Sequence, residues 1–564
     1  MIQPNQDLAS NTHNALGETH TVENAGVEFS GYDSYGADIP LQEAVRREGA
    51  DWAEDDLSRF GRLTGSAAHL ELGALANHYK PELDTHDRFG RRIDRVRYHD
   101  AYHRLMASSL GEGLHAAPWR DPRPGAHVAR AAKYVLQAQA EAGHGCPITM
   151  TFASIPTLRL QPDLAARFES KVLACDYDPR NVPPAEKHAL TVGMGMTEKQ
   201  GGSDVRTNTT AATPFANPGP GRPYRLVGHK WFLSAPMCDL FLMLAQAPEG
   251  LSCFLVPRWC DDGSKNPLQV IRLKNKMGNQ SNASSEVELR GAEGWLVGDE
   301  GRGVANIIQM VALTRFDCMI GSSAQMRMAV SQAIHHCSQR HAFGARLVEQ
   351  PLMTNVLADL ALEYEAAIAL TLRMGRALDR READEHEALL FRLGTAVGKY
   401  WICKRGPQLA YEAMECLGGN GVMEDCIMPR LYREAVINPI WEGSGNVQCL
   451  DVLRALSRTP AVRDAFVAEI EPALGRHSAY DDHVQALKDA LADSREAEFR
   501  ARDLVARMAL ALQGSILLQH GPTAVAEAFC NTRLEQAGHH FGVLPRGTDA
   551  ALLIERANPW STAA

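Results

Sequence analysis

The spacing of apolar residues divides the chain into helical, β-rich and again helical stretches. Over residues 41–175 apolar side chains recur every three or four positions, which predicts amphipathic helices. Over residues 189–298 the pattern changes to short runs rich in β-branched and aromatic residues, separated by turn signals such as NPGPGRP. Short strands without intervening helices predict a small antiparallel barrel or sandwich. Helical spacing returns over 304–433, breaks at INPIWEGSGN and resumes over 447–520.

Changes in composition and hydrophobic spacing along the chain predict an α+β multidomain protein with four units. Residues 1–40 are polar and rich in Gly, Asn and Ser, so we expect an N-terminal arm outside the core. The segment 176–188 is dense in Pro and charge, which marks a boundary. The predicted units are the arm with a helical domain (1–188), a β domain (189–298), a helical bundle (299–455) and a C-terminal helical extension (456–564).

Composition and charge restrict the classes of function. The 564 residues carry 58 Lys and Arg against 68 Asp and Glu, a net charge of −10. A surface coated with basic charge for nucleic acid is therefore excluded, although a local basic patch is not. The N-terminus lacks signal-peptide features, and no apolar run approaches a membrane span. The twelve cysteines include no CxxC pair, so reduced thiols, no metal site and a cytoplasmic location are predicted.

Two loop segments carry patterns that suit a ligand. In GMGMTEKQGGSDVRTNTT, residues 193–210, glycines beside Ser and Thr let backbone N–H groups approach a phosphate or a flat ring, although an ordinary turn has the same pattern. In NPIWEGSGNVQCL, residues 438–450, Glu442 stands between Trp441 and a Gly-Ser-Gly turn. An apolar neighbour raises the pKa of a carboxyl group, which suits a general base. The alternative is a loop carboxylate paired with an arginine such as Arg433.

Two further segments suit either a cofactor contact or a plain helix end. SQRHAFGARLVEQPLM, residues 338–353, contains Arg340, whose guanidinium can clamp a pyrophosphate in bidentate fashion. EAMECLGGNGV, residues 412–422, contains glycines 418, 419 and 421, which again allow close approach of the backbone. Taken singly, neither segment decides between the two interpretations.

Taken together and in this order, the segments resemble those of the acyl-CoA dehydrogenase family. That family shows T-E-x-x-x-G-S-D, G-x-K-x-W-I-T-N, R-x-x-F-G, G-G-x-G and Y-E-G segments, which here are TEKQGGSD, GHKWFLSAP, RHAFG, GGNG and WEGSGN. CPITMTFA, TRFD and an additional helical C-terminal region are similar to the branch of the family linked to the alkylation response. The resemblance covers nearly the whole chain and implies a helical domain, a β-barrel and a helical bundle, followed by the extra helices.

The resemblance implies a homotetramer that binds FAD without a covalent bond, partly across a subunit interface. Thr197 and Ser203 would contact the pyrimidine end of the flavin and the pyrophosphate. Phe232 would lie against the flavin face, with Ser234 near N5. Arg340 and glycines 418–421 would hold the ADP part of a neighbouring subunit's FAD. The residues expected to bind the cofactor are Met194, Gly195, Met196, Thr197, Gly201, Gly202, Ser203, Phe232, Leu233, Ser234, Arg340, Gly418, Gly419, Trp441, Gly443, Ser444 and Asn446.

By the same resemblance Glu442 is the general base. It would take a proton from Cα of an acyl thioester while a hydride leaves Cβ for the flavin, which requires a polarised thioester carbonyl. Three positions depart from the family pattern, because Glu415 replaces a Gln, Phe232 a Trp and Ser234 a Thr. Fold membership alone does not guarantee turnover.

The branch implies weak dehydrogenation of a short branched acyl-CoA such as isovaleryl-CoA, together with binding of double-stranded DNA through the C-terminal region and protection against alkylation. The alternatives are an ordinary metabolic acyl-CoA dehydrogenase or oxidase without DNA binding, and a flavin-bearing binding protein without turnover. Residues 451–564 hold 12 Lys and Arg but 15 Asp and Glu. Arg495 and Arg502 share one helical face and Arg500 and Arg507 another, with acidic residues between them, which equally suits a salt-bridged solvated helix.

Overall fold

The computed structural model describes residues 19–535 and 540–561, so the prediction for residues 1–18 lies outside the described part. The N-terminal region is helical, with one two-stranded hairpin. Its elements are α1 Ile39–Arg47, α2 Glu54–Thr64, α3 Ala67–His78, β1 Glu82–His86, β2 Arg92–Arg97, α4 Asp100–Gly111, α5 Ala117–Arg120, α6 Ala126–Ala140, α7 Gly145–Arg159 and α8 Pro162–Val172.

The hairpin β1–β2 was not predicted, because the region was expected to be helical throughout. Its strands, ELDTH and RIDRVR, lack alternating apolar residues, and Val96 is their one buried side chain. Ion pairs across the strands take the place of an apolar face, with Arg95 2.9 Å from Asp84 and Arg97 2.8 Å from Glu82. Such a pattern carries no hydrophobic periodicity from which a strand could be recognised.

The expectation that residues up to 40 form an arm outside the core is wrong for its second half. Phe29, Tyr32 and Tyr35 are all buried. The Phe29 ring packs against His335 at 5.1 Å and against Trp560 at 5.7 Å between centroids. This segment therefore joins the middle of the chain to its C-terminal end. The Gly- and Ser-rich composition hid three aromatic residues that follow one another every three positions.

The β domain forms a closed ring with two attached strands. Its strands are β3 Val192–Gly195, β4 Ala211–Pro214, β5 Pro223–Ser234, β6 Leu240–Ala247, β7 Gly250–Pro257, β8 Leu268–Leu273 and β9 Ser284–Val297. The neighbour order β6-β4-β5-β9-β7 closes because β7 also pairs with β6. The predicted barrel is confirmed. Its sheet is mixed and not purely antiparallel as predicted, since β3 and β4 run parallel to β6.

A bundle of long helices follows the barrel. It contains α9 Gly303–Gln339, the short strands β10 His341–Ala342 and β11 Ala345–Arg346, α10 Pro351–Arg380, α11 Glu385–Cys416, α12 Met428–Ala435 and α13 Gly445–Arg458. Helix α13 continues through the domain boundary predicted at residue 455. Contrary to the sequence expectation, α9 is long and apolar enough to cross a membrane, but 61% of its most apolar window is buried in the protein. Its packing against α6, α7, α10 and α11 is that of a core helix.

The C-terminal extension packs on the bundle through α16. Buried ion pairs attach its end to earlier helices, because Arg533 contacts Asp359 and Glu363, and Arg556 contacts Glu365. These arginines serve internal packing instead of a surface patch. The elements are α14 Ala461–Ile470, α15 Ser478–Ala492, α16 Ala497–His520, α17 Thr523–Phe529, a π-helical turn Cys530–Glu535 and α18 Ala550–Ala557.

Candidate active site

Glu442 lies in a strained loop between α12 and α13. Its φ of 56° is in the left-handed region, where a residue with a side chain costs of order 1–3 kcal/mol, and Gly443 follows with φ 97°. Surrounding donors hold the loop in this conformation. Arg315 Nε and Gln448 Nε2 each donate to the Glu442 carbonyl at 3.1 Å. Lys399 Nζ donates to the carbonyl of Trp441 at 2.8 Å and also to the carbonyl of Gly443.

The Glu442 carboxyl group faces α9. Thr314 Oγ1 lies 2.7 Å from Glu442 Oε2 and 3.0 Å from the carbonyl oxygen of Val311. The hydroxyl can therefore donate to a carboxylate, or accept from a protonated carboxyl group while donating to Val311. Burial raises the pKa of Glu442, against the lowering effects of Thr314, Lys399 and Arg315. The alternative pairing with Arg433 is wrong, since Arg433 contacts Glu424 at 2.6 Å.

The start of α7 and the end of β5 meet near Glu442. The Cys146 thiol lies beside Ser234 and near Glu442, and burial raises its pKa to about 12. Ser234 Oγ is 3.1 Å from Ser284 Oγ on β9. Asn282 precedes that strand and is buried, yet within the described part of the chain neither polar atom of its side chain has a hydrogen-bond partner.

The TEKQGGSD and GHKWF segments are joined by a buried ion pair. Lys230 Nζ lies 2.8 Å from Glu198 Oε1, and neither side chain is exposed. Glu198 also accepts hydrogen bonds from the backbone of Thr209 and Thr210. Burial alone would raise the pKa of Glu198, but Lys230 and these donors lower it to about 2. A Cβ at Gly202 would lie 2.8 Å from the Thr197 hydroxyl, so glycine keeps that hydroxyl accessible.

The structure places most of the predicted cofactor residues on the barrel edge or in the Glu442 loop. Thr197 is linked to the end of β5 by a 2.8 Å hydrogen bond from Trp231 N. Ser203 is exposed, and Phe232 presents 48% of its surface to solvent, which suits a contact with a flat ring. Leu233 is an exception, because its side chain is fully buried in the barrel and only its backbone can reach a cofactor. The others on this side are Met194, Gly195, Met196, Gly201, Gly202, Ser234, Trp441, Gly443, Ser444 and Asn446.

Arg340, Gly418 and Gly419 lie at the other end of the bundle. Thr314 lies in α9 and Arg340 directly follows its last residue, so the two are roughly 40 Å apart at 1.5 Å per residue. Cys337 Sγ, near the end of α9, lies 3.8 Å from the carbonyl oxygen of Cys416, the last residue of α11. The glycines that follow α11 are therefore at the same end of the bundle as Arg340. These residues do not reach the Glu442 of their own chain. A Cβ on either glycine would meet no atom within 4 Å, which leaves room for a ligand.

Sequence reasoning missed several residues that shape the site. Thr314 stands in the TRFD segment, which was noticed without a role. Lys399 lies among apolar residues of α11 and is 1% exposed. A lysine on an apolar helical face is rare unless it is paired, so this position could have indicated a functional residue. Cys146 begins the CPITMTFA segment, for which the sequence predicted no contact with the site. Glu415, the unexpected charge near the predicted diphosphate contact, is exposed to solvent.

The comparisons with known proteins agree with this geometry. The models for the middle and C-terminal domains of acyl-CoA dehydrogenase match residues 193–292 and 301–457. The chain belongs to the acyl-CoA dehydrogenase family. It is an FAD-dependent oxidoreductase of the class that acts on CH–CH bonds, and FAD is its cofactor. The exposed Phe232 ring and the open glycines fit that cofactor.

Within the family, the chain is similar to AidB of Escherichia coli, with 47% identity over 92% of this chain and 95% of that protein. The model described as the adaptive response protein AidB N-terminal domain matches residues 24–179. Acyl-CoA dehydrogenase family member 11 of Caenorhabditis elegans is 32% identical over 90% of this chain and 81% of its own length. The crystal structure of C. elegans ACDH-11 in complex with C11-CoA has a TM-score of 0.84 at 29% identity, covering 94% of this chain and 95% of that one.

Proposed function

We propose that the protein removes hydrogens from Cα and Cβ of an acyl-CoA thioester, with Glu442 as the base. The observation that carries the proposal is the Glu442 carboxyl group, which has a raised pKa and lies between α9 and the barrel edge on a loop held by hydrogen bonds from Arg315, Lys399 and Gln448. FAD, when bound, supplies the hydride acceptor. A carboxylate with a raised pKa is a better match for the weakly acidic Cα–H than one at its ordinary value.

The residues around Glu442 suit the uptake of a proton. The carboxylate accepts the Cα proton, and the carboxyl group so formed can donate to Thr314 Oγ1 at 2.7 Å. The Thr314 hydroxyl then donates to the Val311 carbonyl, 3.0 Å away. Lys399 and Arg315 keep the loop in place through backbone carbonyls, so the carboxyl group stays free to change its charge.

An acyl-CoA substrate is supported by the relative that was solved with C11-CoA. Preference for a short branched chain such as that of isovaleryl-CoA, and weak turnover, are proposed from the similarity to AidB. The substitutions at Phe232 and Ser234 are consistent with altered contacts to the flavin.

Anaerobic titration of the holoprotein with a panel of acyl-CoA thioesters tests the proposal. We expect bleaching of the oxidised flavin band with at least one substrate, and none with the Glu442→Gln variant. Binding of FAD and of acyl-CoA should be unchanged in that variant, because the substitution keeps the size of the side chain. If the variant is reduced as fast as the wild type, Glu442 is not the base. If FAD binds but no thioester bleaches it, the protein is not a dehydrogenase of this class.

We also propose a role in DNA binding and protection against alkylation, supported by the similarity to AidB and to the adaptive-response N-terminal domain. The charges of the C-terminal region add little support for DNA binding, because Arg495, Arg500 and Arg507 each lie within 4 Å of an aspartate. A mobility-shift assay with double-stranded DNA over a salt series tests the proposal. Binding that weakens steeply with salt would support it, and no shift at low salt would exclude it.

We propose further that the protein assembles as a homotetramer and is located in the cytoplasm. The separation of Arg340 and Gly418 from Glu442 supports binding of one FAD by two chains, because the two groups cannot meet within one chain. Light scattering on the holoprotein should give four times the 61.7 kDa chain mass. A monomer that retains FAD would contradict the shared site.

A further inference from the structure

We propose that Arg502 of the C-terminal extension is a cofactor-positioning residue that acts through Asn446. Arg502 Nε donates a hydrogen bond to Asn446 Oδ1 at 2.8 Å. Asn446 is in the first turn of α13, directly after the Glu442 loop, whereas Arg502 is on α16, 56 residues later. The inference rests on the cofactor lying beside Asn446, as the acyl-CoA dehydrogenase motif implies.

The charged residues just before α16 and in its first half single out Arg502. Arg495 is 2.9 Å from Asp493, Arg500 is 3.8 Å from the same carboxylate, and Arg507 is 2.9 Å from Asp503. Among the described residues, no carboxylate lies within 4 Å of the Arg502 guanidinium; its observed contact is the amide of Asn446. Arg502 therefore keeps its charge available at the cofactor loop, unlike Arg495, Arg500 and Arg507.

The hydrogen bond decides which way the Asn446 amide faces. An amide group carries one acceptor and one donor end, and their assignment follows from the hydrogen-bond network. Because Arg502 can only donate, the amide oxygen must turn toward it, and the amide nitrogen must turn away. In the described part of the chain no protein group accepts from that nitrogen. Asn446 is thus presented as a donor, which matches a cofactor rich in carbonyl, phosphate and ring-nitrogen acceptors.

The surrounding packing fixes Arg502 relative to the loop. Helix α16 packs against both α11 and α13. A Cβ at Gly445 would lie 3.4 Å from the Tyr400 ring and 3.5 Å from Lys404 Cε, so the loop approaches α11 closely beside Arg502. Burial raises the pKa of Tyr400, and the nearby Arg502 opposes this rise. The extension is therefore a direct support of the loop that carries Glu442.

A double-mutant cycle on FAD affinity tests the inference, with the dissociation constant measured by fluorescence titration of the apoprotein. We expect Arg502→Leu and Asn446→Ala each to raise the dissociation constant roughly three- to tenfold, as for one lost hydrogen bond. In the Asn446→Ala background, Arg502→Leu should cause no further loss, because it acts through the amide. Additive losses would show that Arg502 does not act through Asn446 and would overturn the inference.

Two further variants separate positioning from general stability. Arg502→Lys should restore part of the affinity, since it can donate to the same oxygen. Arg507→Leu, on the same helix but paired with Asp503, should leave FAD affinity unchanged. Unchanged affinity in Arg502→Leu, or an equal loss in Arg507→Leu, would reject the inference. A wild-type chain that binds no FAD would instead reject the cofactor assignment.

Discussion

Two glutamates, in the first and the last of the five motifs, have opposite electrostatic environments. Glu198, in TEKQGGSD, is 1% exposed and has Lys230 against its carboxylate, so its pKa falls to about 2. Glu442, in WEGSGN, has a raised pKa although Lys399 and Arg315 are close. The difference lies in where the cations bind. Lys230 contacts the carboxylate, whereas Lys399 and Arg315 donate to backbone carbonyls of the loop.

The neighbourhood of Arg315 strengthens this contrast. Its Nη1 atom is 2.7 Å from Asp451, so much of its charge is already compensated. The cations near Glu442 thus hold the backbone, and among the described residues the Glu442 side chain has a single hydroxyl partner, Thr314. A carboxylate surrounded by donors is structural, and one with few donors can take up a proton. The predictions below test this distinction, beginning with the largest effect.

Glu442→Gln should lower the rate of flavin reduction by roughly 10²- to 10⁴-fold, since a general base contributes about that much. The unfolding temperature and FAD content should stay near those of the wild type. Stopped-flow reduction with the best substrate measures the effect. A loss below threefold would mean that Glu442, like Glu198, is structural.

Lys230→Met should destabilise the protein by about 3–5 kcal/mol, because it leaves Glu198 buried without its cation. The double variant Lys230→Met with Glu198→Leu should recover part of this loss. Denaturant unfolding of the two variants measures the difference. Equal stabilities would show that the ion pair is not the main partner of Glu198.

The same pair predicts acid sensitivity. Glu198 has a folded-state pKa of about 2, below its ordinary value of 4.5. Its contribution to stability is therefore fully present above pH 4.5 and is lost as the pH falls toward 2. Unfolding measured over this range should show a smaller pH dependence in the double variant than in the wild type. An identical dependence would remove Glu198 from the groups that cause acid unfolding.

Thr314→Val should move the ascending limb of the pH–rate profile to higher pH. The Thr314 hydrogen bond lowers the pKa of Glu442, so its removal raises that pKa, and the base becomes active only at higher pH. The shift should be about one pH unit or less, as expected for one hydrogen bond of about 1 kcal/mol. The pH dependence of kcat/KM measures it, with Thr314→Ser as the control that keeps the hydroxyl. A shift to lower pH would contradict the assignment.

Glu415→Gln should have the smallest effect, because the side chain is exposed and has no ion pair within the described residues. We expect a change in stability within about 0.5 kcal/mol and unchanged flavin reduction. Thermal unfolding and the substrate titration check both. A marked gain in FAD affinity would show that this charge does face the diphosphate of a neighbouring chain.

The amino-acid sequence alone determined the order of the helical and β domains and singled out Glu442 as the candidate base. Hydrophobic periodicity located the barrel strands and the long helices, since burial of one face leaves a local repeat in the chain. The five ordered motifs located Glu442 and the barrel-edge residues around Thr197. Tertiary structure alone decided what those residues contact. Thr314 is 128 residues from Glu442 in the chain, and Arg502 is 56 residues from Asn446.

Such long-range contacts leave no periodic signal, because a local pattern records that a face is buried but not what covers it. For the same reason the sequence did not reveal the charged hairpin β1–β2 or the burial of Phe29. It also could not show that the cations near Glu442 bind backbone carbonyls while Lys230 binds a carboxylate. Those choices depend on the relative placement of α9, α11 and the Glu442 loop, and they give Glu442 and Glu198 their opposite electrostatic environments.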